Sequence, residues 1–296
     1  MENSKNDYKN RVLKNEILSK YNWFNLGGPA KILFKPVDSK ELSNFLKDLN
    51  DKKIYILGAG SNTLIRDGGI NGVVVKLSSK FSYINLLNDN IIEVGAATLD
   101  RQISDFGSKN SLSGLEFLSC IPGSIGGGIK MNSGCYGDDI SKILLSIKVM
   151  DYDGNLKEIN KDQIKFYYRG SDIPDNLIIL SAKLQCSNSS QELIEEKKNQ
   201  FIKQKKDTQP SRIKTCGSTF KNPSNHKAWK LIKKSSCENM QVGDAKISEK
   251  HSNFFVNNGK ASSQDIEKLI KKVKDKVKED TGINLELEIK VIGENK

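Results

Sequence analysis

The chain has 296 residues, with 47 Lys and Arg against 36 Asp and Glu for a net charge of +11, and is long enough to bury a sizeable core in two or three domains. No run approaches the roughly 18 apolar residues of a membrane helix, and the polar start MENSKNDYKNRVLKNE holds no apolar signal core. The lysines are dispersed along acid-bearing helices, with no basic arm and no aromatics interleaved with Arg, so the charge reads as a solvated surface rather than a nucleic-acid face.

Asp38 or Ser39 caps a helix in which Leu42, Phe45, Leu46 and Leu49 recur at helical spacing. Strands are predicted at Ile54–Leu57, Val73–Leu77 and Ile91–Ala96, then a helix over Leu99–Phe106 with Leu99, Ile103 and Phe106 on one face. Ile143–Met150 and Leu156–Ile159 form a hairpin turning at Asp153-Gly154. Leu177–Cys186 is a further strand, and Gln191–Lys206 a charged connecting helix closed by Gln209-Pro210. Ala228–Ile232 is a short helix and Asn253–Val256 a strand. Ser263–Glu279 is an amphipathic helix with Ile266, Leu269, Ile270, Val273 and Val277 on its stripe and Gly282 past its end. Leu285–Ile292 alternates as a strand, with Leu285, Leu287, Ile289 and Val291 inward and Glu286, Glu288 and Lys290 outward. The fold class is α+β, with an N-terminal part to about residue 188 and a smaller C-terminal part from about 210.

Cys120, Cys135, Cys186, Cys216 and Cys237 are widely spaced, without a C-x-x-C, as suits reduced thiols in a cytoplasmic protein. Two histidines, His226 and His251, leave little for a zinc site or a Ser-His-Asp triad, and no metal is expected. Two long loops rich in Gly, Ser and Asn leave apolar strands, one within Ile54–Leu77 and one within Gly114–Gly137. Glycine lets backbone N–H groups approach a ligand closely, as a dinucleotide pyrophosphate requires. The Rossmann fingerprint fails, because Ser61, Asn62 and Thr63 follow Gly58-Ala59-Gly60 and no helix continues. No G-K-[ST] follows either loop, which excludes a P-loop.

Seven motifs occur in the order of one family: Phe24-Asn25-Leu26-Gly27-Gly28-Pro29-Ala30; Leu57-Gly58-Ala59-Gly60-Ser61-Asn62; the segment from Gly114-Leu115-Glu116-Phe117 through Ile121-Pro122-Gly123-Ser124-Ile125-Gly126-Gly127 to Met131-Asn132-Ser133-Gly134; Tyr168-Arg169-Gly170-Ser171; Gly217-Ser218-Thr219-Phe220-Lys221-Asn222-Pro223; Ser248-Glu249-Lys250-His251 with Asn253-Phe254; and Leu285-Glu286-Leu287-Glu288-Ile289. Over nearly its whole length the chain resembles the UDP-N-acetylenolpyruvoylglucosamine reductases. The short span between Arg169 and Ser218 is similar to the second, shorter branch, so no tyrosine of the longer branch's insert is carried over. Lys214-Thr215-Cys216 departs from the pattern that usually precedes the serine motif.

The resemblance implies a vanillyl-alcohol-oxidase-type FAD-binding fold of two subdomains plus a C-terminal substrate domain. Its borders would be an N-terminal segment at 1–22, an FAD domain at 23–188 (subdomains 23–78 and 79–188), a connector at 189–210 and a substrate domain at 211–296. It implies FAD held without a covalent bond, NADPH as hydride donor, and reduction of a UDP-sugar enolpyruvyl ether, with no nucleic-acid, membrane or obligate protein partner. Cofactor contacts fall on Gly58, Ala59, Gly60, Ser61, Asn62, Gly123, Ser124, Gly126, Gly127 and Asn132.

Arg169 would hold the substrate carboxylate as negative charge builds, Glu288 would donate to the enolate when protonated, and Ser218 would protonate the enolate carbon. Lys221 and Asn222 would hold substrate, and Ser248 and His251 fit a structural loop. On pattern alone Arg169 is a surface arginine, Glu288 lies on a polar strand face and Gly217-Ser218 is a turn. Two alternatives stay open: a flavin oxidase of the same fold acting on an alcohol or sugar, a kind of enzyme that often tethers its flavin through a histidine near the first loop, where this chain has none, and a non-catalytic nucleotide-binding protein.

Overall fold

The computed structural model describes residues 7–50 and 53–296. The chain divides into two compact units: residues 1–14, 32–59 and 72–205 in the first, and residues 15–31, 60–71 and 206–296 in the second. The continuous borders read from sequence, 23–188 and 211–296, are therefore crossed twice, because two early segments belong with the C-terminal unit. The opening part of the expected segment 1–22, residues 1–6, lies outside the described residues.

In the first unit, helix α1 (Ser39–Asp48) begins where the Asp38 carboxylate accepts from the Glu41 N–H at 2.7 Å. Leu42, Phe45 and Leu46 are buried with Phe34, Val73, Val75, Met150, Ile178 and Leu180, and the Phe34 and Phe45 rings stack 3.8 Å apart. Leu49 lies outside the helix, as its C-cap. Ile54–Ile56 pairs in parallel with Val73–Val75.

A second sheet, wholly antiparallel, runs Leu156–Asn160, Leu144–Asp151, Leu177–Gln185, Ile91–Gly95, Ile84–Asn88. One face buries Ile92, Val94, Ile147, Val149, Ala182 and Leu184 with Ile103 of helix α2 (Asp100–Lys109) and with Ile125 and Ile129 of helix α3 (Ile125–Lys130). Along the same strands, Glu93 accepts from Ser181 and Lys183 pairs with Glu158, the polar half of the period-2 alternation. The hairpin turns at Gly154 with φ of 80°, as Asp153-Gly154 predicts. Leu99 departs from expectation: it is the N-cap of α2 and 46% exposed, since side chains one step before a helix leave its buried stripe. Helix α4 (Gln191–Thr208), all but its last three residues in this unit, has Ile194 and Lys198 as its buried residues.

In the second unit, helix α6 (Ser263–Thr281) buries Ile266, Leu269, Ile270, Val273 and Val277, capped by Ser262 with Asp265 and ended by Gly282 at φ 72°. Its core includes Ala245, Ile247 and Phe255 from an antiparallel sheet of Gln241–Val242, Ala245–Ser248 and His251–Asn257, Leu231 and Ile232 from helix α5 (Ala228–Lys234), and Phe24, Leu26 and Leu64 from the early segments. Thr63–Ile65 pairs in parallel with Lys290–Ile292. Arg66 grips Glu267 with two nitrogens at 2.8 and 3.0 Å, and Asp67 and Ser263 exchange hydrogen bonds at 2.8 and 2.9 Å. The alternation of Leu285–Ile292 holds at Leu285, Glu286, Ile289 and Lys290 but fails at Glu288, which is as half-buried as Leu287, and the continuous strand does not form. Regular pairing covers only Lys290–Ile292, and Leu287 meets Phe220 through a single bridge.

Candidate functional site

The first glycine loop leaves the strand Ile54–Ile56 as the Leu57 N–H donates to the Val75 carbonyl at 2.9 Å. Gly58 and Ala59 belong to the first unit, and Gly60, Ser61 and Asn62 to the second. A Cβ on Gly58 would stand 2.9 Å from the Ser124 hydroxyl, so the two loops read from sequence converge there. Lys76 donates to the Gly58 carbonyl, and burial, with Lys35 nearby, lowers its pKa. Nothing in the sequence singles out this cation, which stands within the predicted strand Val73–Leu77. Gly60 has φ of 69° and packs so closely on Tyr21 that a Cβ would fall 2.1 Å from its carbonyl oxygen; only glycine fits.

The second loop is framed from below. Glu116, buried, accepts from Gly114 N–H at 2.9 Å and from the Ser113 hydroxyl at 2.6 Å. Gly123 accepts from the Asp100 N–H at 3.1 Å. The Asp100 carboxyl is fully buried beneath this segment, without a hydrogen-bond partner among the described residues, and burial raises its pKa to about 8. Ser124 caps α3, and the next two amides are committed inward: Ile125 N–H to Thr98 at 2.9 Å and Gly126 N–H to Ala96 at 3.0 Å. Gly126 thus serves close packing, a Cβ there lying 2.9 Å from that of Ala96. Gly127 faces open space, with nothing within 4 Å of an added Cβ. Asn132, 5% exposed and with φ of 42°, donates to Tyr167 O at 3.2 Å and accepts from Ser141 N–H at 3.0 Å. Its amide ties the loop to the Tyr167 strand.

Arg169 stands in the turn of the hairpin Phe166–Tyr167/Gly170–Ser171 with φ of 58°. That left-handed geometry is costly for a side chain of this size. Its guanidinium donates to the Gly134 carbonyl at 2.8 Å and lies over the Tyr168 ring, 4.9 Å from the centroid.

Ser218 and Glu288 belong to the second unit. Ser218 bridges Phe254, the following Thr219 N–H donates to Asn253 O at 2.8 Å, and the Glu288 N–H donates to the Thr219 carbonyl at 2.9 Å. The serine and the glutamate therefore lie on neighbouring extended segments, both partly exposed. Asn62 holds the closing segment: its amide donates to the Glu288 carbonyl at 3.0 Å and its own carbonyl accepts from Lys290 N–H at 2.9 Å. Lys221 bonds Glu286 through its backbone at 2.9 Å and approaches its carboxylate at 3.8 Å. Asn222 accepts from the Ala228 N–H at 3.0 Å, holding the start of α5. His251, pushed down by burial, accepts from Asn253 N–H at 3.2 Å, which suits the structural role read from sequence. An open hollow of about 410 Å³ lined by Tyr8, Val12, Phe45 and Leu49 includes none of these residues.

The glycine loops thus meet where a Cβ on Gly58 would crowd the Ser124 hydroxyl, with Lys76 bonded to the Gly58 carbonyl, as suits a diphosphate-bearing cofactor. Residues 30–160 match the FAD binding domain family, which defines the chain as a flavoprotein of the α+β class anticipated from its motifs. Residues 209–292 match the C-terminal domain of UDP-N-acetylenolpyruvoylglucosamine reductase. The Pelagibacter ubique reductase of that name is 45% identical over 97% of this chain and 96% of its own length. The Wolbachia pipientis wMel protein is 43% identical over 94% of each. The crystal structure of the Thermus caldophilus enzyme superposes with a TM-score of 0.85 at 32% identity, covering 96% of this chain and 99% of that one. The chain belongs to the UDP-N-acetylenolpyruvoylglucosamine reductase family.

Proposed function

We infer that this chain reduces UDP-N-acetyl-3-O-(1-carboxyvinyl)glucosamine to UDP-N-acetylmuramate with NADPH, in peptidoglycan precursor synthesis. The observation that carries this is 45% identity along 97% of the chain to a reductase of that name. When bound, FAD supplies the relay of hydride from NADPH to the enolpyruvyl alkene. Gly58, Ala59, Ser61 and Gly127 would hold it with Ser124, while Gly60, Gly126 and Asn132 shape the loops around it. The Lys76 ammonium offsets diphosphate charge.

Arg169 forks the substrate carboxylate, and the interaction strengthens as charge spreads onto it. Its strained backbone supports this role, since a turn with no task to perform would favour Gly or Asn there. Ser218 gives a proton from its hydroxyl to the enolate carbon. Glu288 donates from its carboxyl to the enolate oxygen, and the bonds of its own N–H and carbonyl to Thr219 and Asn62 fix where the carboxyl starts. Lys221 holds the substrate's anionic part, and Asn222 sets the loop that carries Lys221. The five free cysteines accord with a cytoplasmic setting.

The test is direct. FAD-loaded protein should oxidise NADPH only when the enolpyruvyl substrate is present, and acid precipitation should release the yellow chromophore into the supernatant. Reconstituted enzyme that ignores the substrate, or flavin that stays in the pellet, overturns the reading.

A further inference from the structure

Helix α3 ends at Lys130, so its last carbonyls need partners outside the helix. The Lys130 carbonyl accepts from the Ser171 hydroxyl at 2.9 Å. Two residues on, the buried Asn132 carboxamide donates to the Tyr167 carbonyl at 3.2 Å and accepts from the Ser141 N–H at 3.0 Å. Two further on, the Gly134 carbonyl accepts from the Arg169 guanidinium at 2.8 Å. The Lys130 ammonium donates to the Ile173 carbonyl and pairs with Asp175 at 2.7 Å. Residues 130, 132 and 134 thus hold the hairpin Phe166–Tyr167/Gly170–Ser171 along its length, all within the first unit.

The hairpin itself is stiff. The Tyr167 hydroxyl donates to the Ser171 carbonyl at 2.9 Å, and its ring lies so close on Gly170 that a Cβ there would fall 2.1 Å from Cε2. At the base, the Asp172 carboxylate accepts from the Lys165 N–H at 2.9 Å. A stiff hairpin carries any shift of its strands to the guanidinium at its turn. Asn132 and Ser171 are 5% and 7% exposed, and their bonds cross 35 and 41 positions of sequence. Neither is the local turn or cap that Asn and Ser side chains usually make; both join the arginine hairpin to the segment that follows the second glycine loop.

We propose that Asn132 and Ser171 are positioning residues for Arg169, fixing its hairpin so that the guanidinium is aimed before a carboxylate arrives. A surface turn without these two bonds would have to be ordered during binding, and the fork would meet the developing charge off its best line. Asn132 then serves the substrate side of the site rather than the flavin contact that motif order implies. The glycine loop keeps its own anchors, Ile125 N–H to Thr98 and Gly126 N–H to Ala96, so the brace acts on the substrate step and leaves the flavin held. Its consequence for turnover rests on the role proposed for Arg169; the brace itself does not.

Ser171→Ala removes one bond of the brace. Asn132→Asp removes the other, keeping the shape and the acceptor for Ser141 while losing the donor to Tyr167; should it fold poorly, Ser171→Ala carries the test alone. In FAD-loaded protein each should slow the substrate half-reaction at least about tenfold, while flavin reduction by NADPH and the FAD Kd change less than about threefold. Amide hydrogen exchange should rise over residues 166–172 and stay unchanged over 125–128. In an Arg169→Ala background the same substitutions should cost less than about twofold, a non-additivity that general loosening of the fold does not produce. Equal slowing of both half-reactions, unchanged exchange in the hairpin, or effects that add to those of Arg169→Ala overturn the proposal. Where Arg169→Ala slows the substrate step and the other two variants do not, the positioning role alone is overturned. Where Arg169→Ala is itself silent, the reading of Arg169 falls and the positioning role with it.

Discussion

Glu286 and Glu288 are two positions apart on one extended segment, which makes a controlled comparison possible. Glu286 is 78% exposed in its side chain and meets Lys221 at 3.8 Å, the geometry of a surface pair. Such pairs contribute about 0–1 kcal/mol, so Glu286→Gln should change turnover less than about fivefold. Glu288 is partly buried, and its backbone is fixed from both sides, by Thr219 at 2.9 Å and by Asn62 at 3.0 Å. Glu288→Gln keeps the shape and those backbone bonds, so stability should move by less than about 0.5 kcal/mol. If the carboxyl donates to a developing enolate, removing that donor costs about 3–4 kcal/mol, a hundredfold to a thousandfold in turnover. Substrate affinity should shift far less, because the bond strengthens only as charge builds. Steady-state kinetics with the enolpyruvyl substrate, alongside urea unfolding of each variant, separates these terms. Small and equal effects of the two substitutions would refute the assignment and make Glu288 a solvated strand residue.

Three further expectations follow from the same geometry. Ser218→Ala should leave flavin reduction by NADPH nearly intact and slow the substrate half-reaction at least about a hundredfold; stopped-flow traces showing the reverse would remove Ser218 from proton transfer. Gly58→Ala places a methyl 2.9 Å from the Ser124 hydroxyl and should weaken FAD binding about tenfold, with Ser124→Ala restoring part of the loss in the double variant; purely additive Kd changes would mean that the two loops do not meet. Asp100, raised from 3.8 to about 8 by burial, binds its proton more tightly folded than unfolded. Its contribution is full below pH 3.8 and declines as pH rises to about 8, at up to about 1.4 kcal/mol per pH unit. Asp100→Asn should therefore gain on the natural chain in urea unfolding between pH 5 and pH 8, and parallel pH profiles would show that Asp100 does not stay protonated in the fold.

Local physics made the regular elements legible. The stripe of α6 and its Gly282 stop, the Asp38 cap of α1 and the turn at Gly154 each depend on residues within a few positions of one another, and each stands where its signal lies. Leu99 shows the limit of the same logic: its spacing to Ile103 fits a helical face, but the helix begins one residue later and leaves it 46% exposed.

What sequence reading could not reach was set by long-range pairing. Thr63–Ile65 looks like the tail of a glycine loop because its partner, Lys290–Ile292, lies at the far end of the chain. The same separation hides the assignment of residues 15–31 and 60–71 to the C-terminal unit, since the apolar Phe24, Leu26 and Leu64 carry no mark of which core they enter. At the site, one interaction shows the problem most sharply. Asn62 reads as a cofactor ligand because it ends a glycine loop, yet its amide holds Glu288 from 226 positions away. A loop residue chosen for a nucleotide and a residue chosen for an enolate, in the bend just before the strand Lys290–Ile292, are thus mechanically one piece. Changing Asn62 should therefore disturb the substrate step as well as the flavin. Motif order found both residues, and only the fold explains why the loop and the closing strand must occur in the same chain.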